Sequence, residues 1–526
     1  MSISSLNTQK LFNYLYLFIV IIFSFTINWN YAKLGVFPMD TFLHYDSGYK
    51  ILNGELPIRD YWIVSGLFVD FLQAFFFQIF GINWYAYIIH SSLLNLAISV
   101  LTFQILIKLK LKSIFAFFYT ISFSLLAYPI SGTPFLDLHA TFFSVISFYL
   151  LMLALENLEK KKIWFLIVLF FYLSFLSKQV PAAYLIIIYT LIITPYFLVN
   201  RFYKQINIII FSIIFFLIFT IFFLKFLNID FGLFYTQYID YPRNIGSGRI
   251  EAWNISAESF FNKYKFILIP VLILLVIKLK KIFVGKIKIF SNEIIIFLLF
   301  LSLVGTLIFH QLLTKNQIYI YFLIPLSFAL LHIEVEKLNI KFKSIFTYII
   351  LILVLASTTK YHLRFNETRK FHELENTDIS KYADSGSLHK SLKGNLWISP
   401  FYDGDSKDEL NMLKQIKEKF DKTKKNVMLI THYLFLDSII KIKLNSPSRT
   451  HTLDGASIPT INDKHFEYYK NFFKKIMINE KIEEIYFIKI EKISTKIVTN
   501  LINEKCYSKF EDEVFIFFTI NKDCKD

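Results

Sequence analysis

Long apolar runs, separated by short polar or basic connections, fill the first 360 residues of this 526-residue chain. A helix needs about 20 residues to cross a hydrocarbon core about 30 Å thick. On that measure the pattern predicts eleven membrane-spanning helices, near residues 11–29, 84–107, 113–128, 139–156, 163–177, 181–199, 206–227, 264–280, 290–312, 317–333 and 344–359. The first run is too long for a signal-peptide core and no small-residue cleavage site follows it, so it reads as a retained span. Leu67–Phe80 is apolar over only 14 residues, and its Asp70, Gln73 and Gln78 share one half of a helical wheel. That predicts a helix lying flat on the outer membrane surface. From Tyr361 onward charge density rises and the period changes. Leu396–Ser399, Asn426–Thr431, Glu484–Ile490 and Val514–Ile520 read as strands, and Lys407–Phe420 and Lys464–Ile478 as helices between them. Helices that alternate with strands favour a parallel or mixed sheet. The expected fold class is therefore a polytopic α-helical membrane protein of about eleven transmembrane helices (residues 1–360) with a C-terminal soluble α/β domain (residues 361–526).

Composition agrees: 55% of residues are hydrophobic and 18% charged, which excludes an ordinary soluble domain. A net charge of +16 would suggest a nucleic-acid partner in a soluble chain. Here the basic residues cluster between spans, a pattern that reports topology instead. Threading the spans puts Lys108/Lys110/Lys112, Lys160/Lys161/Lys162, Arg201/Lys204, Lys278 to Lys288 and Lys337/Lys341/Lys343 on one side, which must be cytoplasmic. The N-terminus then lies inside, and residues 30–83, 228–263 and 360–526 lie outside. The expected location is the cytoplasmic (inner) membrane, with the C-terminal domain periplasmic or extracellular. The only cysteines, Cys506 and Cys524, fall in that domain, and a disulfide between them would fit an oxidising compartment. No internal repeat or low-complexity linker is evident.

Candidate chemistry gathers in the first outer loop. Asp40, His44 and Asp46 share a helical region, and Asp40 and His44 have the i, i+4 spacing that places two groups on one face. Such a cluster can serve a general base, a metal or solvation alone; Asp40, Asp46 and Asp137 would suit a hard divalent cation if the fold gathered them. Lys178, Arg243 and Arg249 fall at the outer boundary. The two arginines flank Asn244-Ile245-Gly246-Ser247-Gly248, read as a flexible stretch whose backbone N–H groups could approach a phosphate. Polar residues in or beside spans, among them His139, His310, Gln311, Asn316 and Gln317, are candidates for lining a cavity. His90 and Asn95 read as interhelical hydrogen-bonding groups.

The run from Met39 to Trp62 resembles the first external loop of the GT-C superfamily of membrane glycosyltransferases, especially the protein O-mannosyltransferases and aminoarabinose transferases. Asp40, Phe42 or Tyr45, Gly54 and the Pro57-Ile58-Arg59-Asp60 turn match that loop's pattern, Leu67–Gly81 is similar to its surface helix, and Ser177-Lys178-Gln179 extends the likeness into the membrane region. Thr41 stands where a second acidic residue is usual, leaving Asp46 or Asp137 for that role. The resemblance implies transfer of a sugar from a polyprenyl-phosphate donor to a lipid, glycan or protein acceptor, with inversion and with Asp40 as general base. Asp46 would be a second catalytic carboxylate. Substrate contacts would come from His44, Arg59, Asp60, Asp137, His139, Lys178, Gln179, Arg243, Arg249, His310 and Asn316. The alternative is a polytopic transporter or lipid-linked-glycan flippase. A transporter usually carries its ionisable residues at mid-membrane on broken helices, whereas here they gather in outer loops.

Overall fold

The computed structural model describes residues 3–127, 132–251, 256–314, 320–339, 341–364, 374, 378–402, 404–452 and 455–521. Helices dominate up to residue 364: α1 (Ile3–Tyr31), α2 (Pro38–Leu52), α3 (Leu67–Phe80), α4 (Trp84–Lys108), α5 (Ser113–Ala127), α6 (Leu136–Glu156), α7 (Lys161–Ser177) and α8 (Gln179–Val199). They continue with α9 (Tyr203–Phe226), α10 (Phe231–Tyr235), α11 (Tyr241–Glu251), α12 (Ala257–Phe283), α13 (Asn292–Leu313), α14 (Leu323–Glu336) and α15 (Lys343–His362). Each of the eleven predicted spans overlaps one of these helices; residue 128 of one span and residues 317–319 of another lie outside the described residues. Among the described residues, seven are long and apolar enough to cross a membrane: the Lys10–Tyr31 part of α1, and α4, α6, α8, α9, α13 and α15. Helices α5, α7 and α14 are shorter, and α12 carries Lys263, Lys265, Lys278, Lys280 and Lys281.

The chain divides into two compact units. The first comprises residues 1–31, 88–219 and 252–376. At its interior lies α6, most of whose side chains are buried. Its periphery exposes apolar side chains that water would not tolerate in such density, Ile213, Ile214, Phe215, Leu217 and Ile218 of α9 being one run. This apolar exterior marks a protein embedded in a membrane. Polar side chains tie the helices together from within. Asn28 donates to the hydroxyls of Ser91 and Ser92, and Asn95 to the carbonyl of Ser24. Ser144 pairs with Ser174 at 2.9 Å. Where lipid offers no hydrophobic drive, such bonds and close small-residue packing hold helices together. Where α12, α13 and α14 meet, Lys278 bonds both Glu293 and Glu334 at 2.6 Å, and Lys281 bonds the same two carboxylates. Part of the basic cluster that the sequence assigns to the cytoplasmic side is thus neutralised inside the protein.

The second unit gathers three stretches far apart in sequence: residues 32–87, 220–251 and 377–526. Its C-terminal part carries β1 (Ala383–Asp384), β2 (Leu396–Trp397), α16 (Ser406–Lys422), β3 (Val427–Ile430), α17 (Phe466–Asn479), β4 (Glu484–Ile488), β5 (Tyr507–Glu511) and β6 (Phe515–Ile520). The main sheet has the order β3-β4-β6-β5, with β3 parallel to β4 and the remaining pairs antiparallel. The mixed sheet expected is present. The strand expected at Leu396–Ser399 lies apart from it, as β2 paired with β1. Residues from the first loop complete this region: Leu396 N donates to the Lys33 carbonyl, and Gly35 N to the Leu396 carbonyl. Trp62 bridges to Ser448 and packs edge-on against Tyr241, Tyr469 and Phe472 in the core beneath α17.

Helix α3 buries Leu67, Val69, Ala74 and Phe77 together with two polar side chains. Asp70 and Gln73 are fully buried, while Phe75, Ile79 and Phe80 are about half exposed. An exposed face this apolar suits contact with lipid. Gln78 departs from the expected polar half by facing outward with the phenylalanines.

Candidate functional site

Two clusters of ionisable residues stand out, one in each unit. In the second unit they are built on α2. Pro38 fixes the start of this helix, a position where its missing N–H costs nothing, and Thr41 Oγ1 accepts from the Phe37 amide at 3.0 Å. Asp40 lies in the first turn, partly exposed, where the helix dipole favours a negative charge. One turn on, His44 is fully buried, its Nδ1 2.6 Å from Asp70 Oδ1 of α3. Arg449 closes the set from the C-terminal region, its Nη1 donating to both Asp70 oxygens at 3.1 and 2.8 Å and its Nη2 to the Ser65 carbonyl. Gly66 makes room for this: its φ is +88°, and a Cβ there would lie 2.9 Å from both Arg449 Nη1 and His44 Cε1. Gly48 likewise lets α2 and α3 approach closely, since a Cβ at that position would meet Gln73 Cγ at 2.9 Å.

Asp46 points into a separate pocket. One oxygen accepts from Lys50 Nζ at 2.8 Å, and Lys50 also reaches Asp437 at 2.9 Å. The three residues line a small cavity of about 230 Å³, mouth included, together with Thr431, Tyr433 and Ser446. Glu55 adds a further negative charge nearby. Two close carboxylates and a third in range outnumber the single lysine, and burial outweighs its attraction: the Asp46 carboxyl is pushed up to about 8, and Asp437 and Glu55 add to the rise. Lys50 titrates well above its ordinary range because those same carboxylates overcome its own burial.

The consequence for stability has a definite sign. An acid whose folded pKa lies above its unfolded value binds its proton more tightly in the folded protein, so stability falls as pH rises from about 4 to about 8. Asp46→Asn removes this contribution and leaves Lys50 paired with Asp437. The apparent melting temperature of the purified protein is therefore expected to fall by a few degrees less in Asp46→Asn than in the wild type between pH 5 and pH 9. Parallel curves in differential scanning fluorimetry would show that Asp46 stays ionised throughout.

Arg59 and Asp60 lock a turn. Asp60 accepts from the Leu56 amide at 2.7 Å and from Arg59 at 2.7 Å, and Arg59 donates to the carbonyls of Gly54 and Leu227. Ile58, between two parts of this lock, is held at φ +74°, a conformation unfavourable for a β-branched residue. Its carbonyl accepts from Gln237, whose own side-chain oxygen accepts from the Ile63 amide.

Asn244–Gly248 is not the flexible stretch expected. It is helical within α11, where backbone N–H groups bond along the helix rather than standing open to an anion. Asn244 secures it by donating to Asp463 at 2.6 Å. Arg243 is exposed on this helix and Arg249 partly so.

In the first unit, the structure brings together residues from three connections. Asp137 opens α6, Lys178 sits at the extended break between α7 and α8, and His310 lies in the last turn of α13. Lys178 Nζ is 2.5 Å and His310 Nε2 3.0 Å from the same oxygen, Asp137 Oδ1. Asp137 and His310 are buried, while Lys178 is 20% exposed and so forms the accessible edge of the cluster. His139, two residues along α6 from Asp137, pairs with His90 at 2.9 Å and with the Phe135 carbonyl. Gln179 follows Lys178 at the start of α8. Asn316 lies outside the described residues.

Among the described residues no group of three or more His, Cys, Asp or Glu is arranged to hold a metal ion. Cys506 is disulfide-bonded; Cys524, the only other cysteine in the sequence, lies outside the described residues. Reading the sequence did not single out Arg449, Asp437 or Lys50. Asp70 carried a signal, as the one acid in an apolar helix, but its partner Arg449 lies 379 residues away. No protein-family model matches the chain, and no curated protein matches it.

Proposed function

We propose that the chain is a membrane glycosyltransferase that moves a sugar from a polyprenyl-phosphate donor to an acceptor hydroxyl on the outer face of the cytoplasmic membrane, with inversion. One observation carries the reading: α2, which bears Asp40, packs on a helix that buries Asp70 and Gln73 and exposes Phe75, Ile79 and Phe80. A carboxylate beside a lipid-seeking surface suits chemistry between a lipid-borne donor and a water-borne acceptor. In the proposed step the acceptor oxygen attacks the anomeric carbon, its proton passes to Asp40, and the bond from that carbon to the phosphate oxygen breaks, its electron pair leaving on the polyprenyl phosphate. A lysine such as Lys178, anchored by a buried carboxylate, is the kind of cation that stabilises a departing lipid phosphate. The disulfide at Cys506 supports placing the C-terminal region in an oxidising compartment. Eleven spans, a GT-C-like arrangement and a cytoplasmic N-terminus belong to the same proposal, as does an acceptor that is a lipid, glycan or protein.

The test is transfer from a radiolabelled polyprenyl-phosphate sugar by the purified protein in lipid vesicles, with Asp40→Asn alongside. Equal transfer by both proteins would remove Asp40 as the base. Absence of transfer with a panel of such donors, together with movement of a lipid-linked glycan across the vesicle, would establish the flippase alternative.

A further inference from the structure

The hydrogen bonds of the second unit give the C-terminal region a direct part in shaping the α2 site. We infer that Arg449 and Asp70 are positioning residues: Arg449 fixes Asp70, and Asp70 fixes the ring plane and tautomer of His44, one helical turn from Asp40. The inference rests on the proposal that α2 carries the reacting groups.

Asp70 sits in an apolar helix and is fully buried, a placement that costs several kcal/mol for a carboxylate unless it is paired and hydrogen-bonded. Both its oxygens accept from Nη1 of Arg449, which leaves Nη2 for a second partner that an ammonium, with one nitrogen, could not hold in the same fixed geometry. The second nitrogen of Arg449 reaches the Ser65 carbonyl, so the same side chain also holds the backbone just before Gly66. Arg449 is itself anchored, because its amide donates to the Trp62 carbonyl at 3.0 Å, and the Trp62 amide donates to Pro447. With Asp70 held this way, its Oδ1 accepts from His44 Nδ1 at 2.6 Å. A carboxylate that accepts from one ring nitrogen fixes the proton there and leaves the other with its lone pair. A purely packing role would need neither the fork nor a glycine at position 66, where any side chain would strike both Arg449 and His44.

The test uses the full-length protein in lipid vesicles and reads two properties. The first is the rate at which diethyl pyrocarbonate acylates His44, followed by peptide mass spectrometry; the second is the steady-state kinetics of sugar transfer and their pH profile. For Arg449→Met, faster acylation of His44 is expected, with kcat lowered about 10- to 100-fold, the donor KM within about twofold, and a displaced acid limb of the pH profile. Arg449→Lys, which keeps the charge but not the fork, should fall between. If Arg449→Met does not accumulate, Arg449→Lys is judged by the same readouts, since the retained charge supports the fold. Protection of His44 and kinetics equal to the wild type would overturn the inference. If the wild type transfers no sugar, the labelling result alone decides it, and only the proposed activity fails.

Discussion

Asp40→Asn is expected to lower sugar transfer by about 10²- to 10⁴-fold, the usual contribution of a positioned general base, while the protein remains folded. The substitution preserves shape and hydrogen-bonding capacity. It also spares the start of α2, where Thr41 receives the Phe37 amide and Pro38 presets the first turn. Loss of the helix-dipole attraction for the carboxylate costs at most about 1 kcal/mol. A large kinetic effect with an unchanged melting temperature therefore separates chemistry from folding. The measurement is initial-rate transfer at saturating donor, alongside fluorimetric melting; a drop of less than about threefold would point to a base elsewhere on α2.

Lys178→Met is expected to lower kcat/KM for the lipid-linked donor by about 10²-fold, the scale of losing one strong electrostatic contact to a developing anion. Lys178→Arg should keep most of it. The effect on folding runs the other way round the cluster. Asp137→Asn leaves Lys178 and His310 close together without their shared carboxylate. Removing one partner of a buried ionic group typically costs about 3–5 kcal/mol, so this variant should accumulate poorly or melt well below the wild type. Comparing the two variants by melting and by donor titration distinguishes a lysine that meets substrate from one that only balances Asp137. If Lys178→Met melts low and its surviving fraction transfers normally, the lysine is structural.

Much of this architecture is written locally and could be read locally. Apolar runs mark the long helices before residue 364, and short continuous apolar runs mark β3, β4 and β6, the first two because they are buried on both faces. The strand β5 escaped notice because Tyr507-Ser508-Lys509-Phe510-Glu511 is an edge strand, largely exposed and charged, as edges usually are. The glycines at 246 and 248 suggested a loop, yet the contact from Asn244 to Asp463, 219 residues away, holds a helix there. The candidate site divides the same way. Asp40 and His44 were legible as one helical face because their relation is a matter of spacing, whereas Asp46 shares their helix but points into a separate pocket. The Asp137 cluster was legible in part, since topology alone predicts that three loops share one side. The pairing of Asp70 with Arg449, or of Lys50 with Asp437, depends on chain reversal across hundreds of residues, and no local pattern encodes it.

Asp70 and Arg449 are separated by 379 positions, and that distance is also an interval of time. At about 5–20 residues per second, a ribosome needs roughly 20–75 s to reach Arg449 after making Asp70. Throughout that interval the first loop is present without the cation that makes burial of Asp70 affordable, so α3 cannot adopt its final packing as it is made. The loop must wait, hydrated, for the end of the chain. Nascent chains stalled before and after residue 449 should therefore differ in protease sensitivity at residues 53–66, and equal protection in both would show that the loop closes unaided. Truncation near the C-terminus would then act as a lesion in the first hundred residues.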